Sequence, residues 1–303
     1  RAAIPLGPPS PHVGGGGALT DELLLFPFKK AGILIVGVFF FLSGYGLLYS
    51  LKTKPDYLRG FLKKRLGALL LPVGVYCLLF LTVFALVYYE QGMSVTEVGI
   101  SLITSINWYI WEIMGLYFLF YIAYKYMDRN KATLFILLIS IVIIVSCYLA
   151  RVGNPWYGST LCFPLGLYAG EYKDSFLKWF RNRAVIKGLI LAAILGAGII
   201  AFFILPERSV MGAIISRNVA SLSFVLLLFI VLQKVVIGNR VSDFLGRISY
   251  EIFLIHPLVI GVLHSDLVYI NNAILYTGSV ILLTFAGAIL LNSIVGKLGN
   301  SSD

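Results

Sequence analysis

The chain has 303 residues, 59% of them apolar and 13% charged, with a net charge of +10 and a mean hydropathy of +0.91. Soluble domains carry roughly 25% charged residues, so this composition excludes a water-soluble enzyme, and it gives the positive charge a better use than nucleic-acid binding. A bilayer core of about 30 Å asks for roughly 20 apolar residues per spanning helix, and runs of that length recur from one end of the chain to the other.

Residues 1–20, RAAIPLGPPSPHVGGGGALT, hold four prolines and a run of four glycines. Proline in a helix interior costs about 3 kcal/mol, so this stretch is predicted to be irregular rather than a regular spanning helix. It has no continuous apolar core of the signal-peptide kind, and its start at Arg1 rather than Met reads as that of a fragment. Clear spans are predicted at 31–51, 66–89, 107–127, 132–150, 157–172, 188–205, 212–236, 248–264 and 273–296. None alternates with the period of a transmembrane barrel strand, and in lipid only helices then satisfy the backbone within each segment. The stretch 157–172 is short and interrupted by Pro164 and Gly166, which predicts a broken helix lining a cavity rather than facing lipid. The expected fold is therefore an all-α polytopic bundle of about ten spans, nine clear and a proline-disrupted first one, forming a single domain over 1–303. Cys77, Cys147 and Cys162 all fall in apolar runs, as buried thiols with neither a disulfide framework nor a metal-ligand spacing.

The loops set the orientation. With the first span entered from the cytoplasm, nineteen of the twenty-four Lys and Arg fall on the inner side, in clusters such as Lys52–Arg65 and Lys173–Lys187. Lys29, Lys30, Arg151, Arg208 and Arg217 are left outside. The positive-inside rule then predicts a multi-pass plasma-membrane protein with both termini cytoplasmic.

Ionisable residues within spans are costly and are functional hypotheses by default. Here they are His12, Glu112, Arg217, Glu251 and His256. Each also has a plainer reading. His12 adjoins a glycine run and reads alone as a loop residue. Glu112 has Arg217 as a structural partner, or else contacts an acceptor substrate. His256 precedes Pro257 and can bond a carbonyl freed by the kink. Ser249 and His256 share a helical face through position 253, which lets both reach one cavity. Trp108, Tyr109 and Trp111 fit an interfacial aromatic belt, with sugar stacking at Trp108 as the functional alternative. The basic residues Arg59, Lys63, Lys64 and Arg65 stand at a cytoplasmic helix mouth.

Three stretches carry a resemblance: FFFLSGYGLLYS at 39–50 followed by YLRGFLKKRLGALLLP at 57–72, NWYIWEIMGLYFLFY at 107–121, and LGRISYEIFLIHPLVI at 245–260. In order and spacing they resemble the acyltransferase 3 family of integral membrane acyltransferases. The resemblance implies an enzyme that takes an acyl group, acetyl above all, from acyl-coenzyme A and passes it to a hydroxyl of an envelope carbohydrate, glycolipid or related acceptor in a bacterial plasma membrane. It implies acyl-coenzyme A as a substrate rather than a bound cofactor, and no metal. The family carries an arginine and a histidine separated by ten residues in its first span; Arg1 and His12 match that pattern, His12 as the catalytic group and Arg1 as its support. It further implies Arg59, Lys63, Lys64 and Arg65 as the grip on the coenzyme A phosphates, with Ala68 where the family often has a further arginine. The residue types suit the reaction, since histidine titrates near neutral pH and Arg1 or Arg217 supplies donors for an oxyanion. The rival readings are a transporter or flippase of a lipid-linked or small anionic solute, although no repeat relates the two halves, and a non-catalytic member of the family.

Overall fold

The computed structural model describes residues 18–88, 108–150, 157–204, 210–232, 235, 238–263, 268, 270 and 272–300. Among them are ten helices: α1 (Ala18–Thr53), α2 (Phe61–Tyr88), α3 (Trp108–Tyr126), α4 (Arg129–Leu149), α5 (Cys162–Glu171), α6 (Lys173–Arg181), α7 (Ala184–Ile204), α8 (Val210–Leu232), α9 (Arg240–Leu263) and α10 (Ala273–Asn300). No strand occurs among the described residues. Seven helices contain a stretch long and apolar enough to cross a membrane, in α1, α2, α4, α7, α8, α9 and α10. The all-α polytopic bundle is thus observed, and three details of its layout differ from expectation.

The first concerns the N-terminal stretch. Helix α1 is described from Ala18 and runs for 36 residues, so the last three residues of the segment expected to be irregular are helical, in a stretch, ALTDELLL, rich in good helix formers. The rest of that segment lies outside the described residues. The second is the fate of two expected spans. Helix α3 keeps its predicted place but is not among the seven, and α5, at 10 residues, is too short to cross a bilayer core. The third is α6, a short helix that hydropathy alone passes over.

The helices fall into two compact groups. One holds residues 27–66 and 108–237. Its tightest joint is between α1 and α5, where a Cβ on Gly44 would overlap the Phe163 carbonyl and one on Gly166 would overlap that of Phe41. Small residues are what allow two helix backbones to approach this closely in a membrane. The interruption by Pro164 and Gly166 therefore serves packing: Cys162, Phe163, Pro164, Gly166 and Leu167 are all buried, and the expectation of a cavity-lining helix gives way to that of a core element. Lys52 closes the C-terminal end of α5. Its Nζ donates to the carbonyls of Gly170 at 3.3 Å and Glu171 at 2.6 Å and pairs with the Glu171 carboxylate at 3.4 Å, as a cation at a helix C-terminus should. Preceding α5, residues 157–160 are tied down by side chains. Asn218 Nδ2 donates to the Tyr157 carbonyl at 2.7 Å, Ser221 Oγ to that of Gly158 at 3.2 Å, and Ser159 Oγ to that of Ile33 at 3.1 Å. Helices α7 and α8 pack along each other.

Of the described chain, the second group holds residues 18–26, 67–88 and 238–300. Within it α9 lies along α10, with Gly287 receiving the Ile255 side chain. The buried Glu251 accepts a hydrogen bond from Asn292 Nδ2 at 3.0 Å. Tyr250 Oη donates to the Leu69 carbonyl at 3.0 Å, in the turn of α2 that Pro72 disturbs by lacking an N–H.

Candidate functional site

A polar site lies in the first group, and the turn between α1 and α2 builds it. Asp56 at φ 51° and Gly60 at φ 71° reverse the chain, and the Arg59 N–H closes the turn on the Asp56 carbonyl at 2.8 Å. Helix α2 then starts at Phe61, which is almost fully buried between the rings of Phe120, Tyr117 and Tyr121, at centroid distances of 5.4, 6.3 and 6.2 Å. That anchor sets the rotation of the helix. Residues four apart share a face, so burying Phe61 turns Arg65 inward, while Lys63 and Lys64 point outward and are exposed. Arg59 is exposed in the turn itself.

The four predicted donor-binding cations therefore separate. Arg65 is half-buried and lines a cavity of about 270 Å³ with Phe39, Leu42, Ser43, Gly46, Leu47, Tyr109 and Tyr117. Its Nε and Nη2 both donate to Tyr57 Oη, at 3.1 and 2.7 Å. A guanidinium has five N–H donors in a rigid fork, so this clamp orients it and leaves other donors for a ligand. Tyr117 joins side chain to side chain with Ser43 and lies in the field of Arg65. The cavity thus has apolar and aromatic walls with a cation, a phenol and a hydroxyl converging in it. Such a mixture suits a small anionic or carbonyl-bearing group. Arg59, Lys63 and Lys64 form an exposed collar on the same turn and helix start.

The other predicted residues are placed as follows. His12 and Arg1 lie outside the described residues. Trp108 is half-buried, its ring edge-on to Tyr109 at 6.4 Å; it backs the cavity wall without lining it. Glu112 is buried and is not paired with Arg217: its Oε1 accepts a short hydrogen bond from Thr160 Oγ1, while Oε2 is buried without a partner. Arg217 is buried in α8 with its guanidinium 4.4 Å from the centre of the Phe202 ring. The pairing fails because α3 turns Glu112 toward the 157–160 segment, which the bonds from α8 hold in place. In the second group, Ser249 Oγ bonds back to the Gly246 carbonyl at 2.9 Å. His256 Nδ1 lies 3.3 Å from the Ile252 carbonyl, with its ring 5.7 Å from that of Phe253. The two share a face as expected, and each is engaged with its own helix.

Sequence reasoning missed Tyr57 as the partner of Arg65, and Ser43 and Tyr117 as its neighbours in the cavity wall. All three stand within the stretches that carry the family resemblance, but which of them meet depends on the turn between α1 and α2.

An acyltransferase-domain family model, that of acyltransferase 3, matches residues 10–293. The chain belongs to this family. Comparison with curated proteins and with solved structures returns no match. The match to the acyltransferase 3 domain takes in His12, the Arg65 cavity and both helix groups, and begins after Arg1. The protein is accordingly an integral membrane acyltransferase.

Proposed function

We propose that this acyltransferase moves an acyl group, acetyl above all, from acyl-coenzyme A to a hydroxyl of an envelope carbohydrate, glycolipid or related acceptor. The observation that carries the reading is Arg65, turned into a small mixed cavity and held there by Tyr57. A fixed guanidinium is the side chain best shaped for a phosphate or a developing oxyanion. The exposed collar of Arg59, Lys63 and Lys64 draws the polyanionic donor to that mouth. This collar sits on the loop 54–60 and the start of α2, on the side that the charge bias predicts to be cytoplasmic, where acyl-coenzyme A is found.

In this reading His12 removes the proton of the acceptor hydroxyl. The resulting oxygen attacks the thioester carbonyl, a C–O bond forms and the C–S bond breaks, and coenzyme A leaves as the thiol after taking a proton. Arg1 supports the histidine, and an arginine steadies the oxyanion between these steps. In this reading Trp108, Glu112 and Arg217, in the group of helices that holds Arg65, fall to the acceptor side of the scheme.

The test uses purified protein in lipid nanodiscs with acetyl-labelled coenzyme A and a panel of hydroxyl acceptors. Wild type transfers label. Arg65→Ala raises the KM for the donor and His12→Ala abolishes turnover without changing folding. Full transfer by both variants sinks the assignment.

A further inference from the structure

A second charged concavity lies away from the Arg65 site. Helix α6, KDSFLKWFR, is strongly two-faced. Phe176 and Phe180 point into the protein and meet Phe229 of α8 at ring distances of 5.1 and 5.4 Å, with Phe180 fully buried. The opposite side carries Lys178, Trp179 and Arg181, all exposed. After α6, Arg183 takes a left-handed φ of 56°, a conformation rare for a residue with a side chain. That reversal brings α7 back so that Lys187 covers Trp179: its Nζ lies 4.0 Å from the ring centre and donates to the Trp179 carbonyl. Between them runs a groove of about 520 Å³ lined by Ser175, Lys178, Trp179, Arg181, Asn182 and Lys187. Three cations line it and no acidic residue does. Asp174 adjoins it on the first turn of α6, and Glu171 is already paired with Lys52.

The position of the groove says what fills it. It opens at the start of α7, whose candidate membrane span runs Ala184–Phe202, so it lies at headgroup depth. The adjoining face of α7 is apolar and unburied: Val185, Ile186, Leu189 and Ile190 are each more than half exposed. A cation-lined pocket that continues directly into a lipid-facing apolar stripe matches the two ends of one molecule, a phosphate headgroup and its acyl chains. An exposed Trp at this depth is an interfacial residue, and anionic lipids are attracted by juxtamembrane basic residues. We propose that this groove is a binding site for an anionic phosphoglyceride. The phosphate sits among Lys178, Arg181 and Lys187, Ser175 and Asn182 receive the headgroup hydroxyls, and the chains run down Val185, Ile186, Leu189 and Ile190.

The experiment is native mass spectrometry of the delipidated full chain in detergent, titrated separately with phosphatidylglycerol, phosphatidylcholine and soluble glycerol phosphate. Wild type should retain phosphatidylglycerol at least about tenfold better than phosphatidylcholine. The triple variant Lys178→Gln, Arg181→Gln, Lys187→Gln should fall to the phosphatidylcholine level. Lys187→Arg, which keeps both charge and stacking, should retain phosphatidylglycerol like wild type and unfold at the same temperature. Two outcomes overturn the proposal. One is undiminished phosphatidylglycerol retention by the triple variant. The other is displacement of the lipid by soluble glycerol phosphate at equal concentration, which would mark a phosphate site without a lipid.

Discussion

Tyr57 does for Arg65 what a lone cation at a helix mouth cannot do for itself. An unclamped arginine side chain carries about 2 kcal/mol of rotamer entropy, and two hydrogen bonds onto one phenolic oxygen remove that freedom before the ligand arrives. Hydrogen bonds to charged groups contribute roughly 1.5–3 kcal/mol, so Tyr57→Phe should raise the KM for acyl-coenzyme A by about tenfold or more at little cost in kcat. Steady-state kinetics with varied donor check this, and an unchanged KM would mean that Arg65 meets no donor. At Glu112 the stake is stability. Its carboxyl is buried with Thr160 as the partner of Oε1. Thr160→Val strands that oxygen, which costs about 1–3 kcal/mol and more if the group is charged. Glu112→Gln keeps a carbonyl oxygen to accept the Thr160 proton. Thermal unfolding should therefore show a larger loss for Thr160→Val than for Glu112→Gln. These residue-level pairings are where the sequence was least informative. That Glu112 matters follows from its charge within an apolar run, and Arg65 stands out only as part of a basic cluster at a helix mouth. That their partners are Thr160 and Tyr57 depends on which way a helix is rotated, and one-dimensional spacing gives no access to that.

Helix rotation and contact, in turn, rest on a few element-level features. The span positions were legible because uninterrupted apolar runs leave few alternatives, and α4, α7, α8 and α10 lie close to where hydropathy places them. At the N-terminal end, reading 1–20 as one irregular segment hid the helix described from Ala18. The meaning of Gly166 was also hidden: a glycine in a short apolar run fits a cavity wall as readily as a crossing of two backbones, and only the position of Phe41 on α1 separates the two. This distinction has a direct test. Gly166→Ala and Gly44→Ala each force a Cβ against a carbonyl of the opposing helix, and overpacking of this kind costs roughly 1–3 kcal/mol. Gly196→Ala on α7 has open space around it and should be neutral or stabilising by about 0.5–1 kcal/mol, the helix preference of alanine over glycine. Unfolding of the three variants in one detergent ranks them, and equal behaviour would remove the α1–α5 crossing from the determinants of the fold.

For the molecule as a whole, the decisive quantity is the side of the membrane on which each loop lies, because the donor mouth at 52–65 must face the cytoplasm to meet acyl-coenzyme A, and the basic groove at 173–187 must face it to draw on the inner leaflet. The charge bias argues that both do: Lys52, Lys54, Arg59, Lys63, Lys64 and Arg65 fall in one loop region and Lys173, Lys178, Arg181, Arg183 and Lys187 in the other, and each such charge resists translocation. The pattern also predicts that the loop at 127–131, with Arg129 and Lys131, shares their side. Asp128 and Lys131 there form an exposed ion pair at 3.3 Å, worth little to stability, so either can be replaced freely. A background lacking Cys77, Cys147 and Cys162, given one new thiol by Lys54→Cys, Asp128→Cys or Asp174→Cys, supplies the readout. A membrane-impermeant maleimide should label all three in inverted vesicles and none in intact spheroplasts. Labelling of Lys54→Cys from the outside would move the Arg65 mouth away from the cytoplasmic donor and end the proposed route for acyl-coenzyme A. Because Lys52 meets Glu171, Asp174→Cys should label from the same side as Lys54→Cys, and opposite labelling of the two would break the joint between α1 and α5.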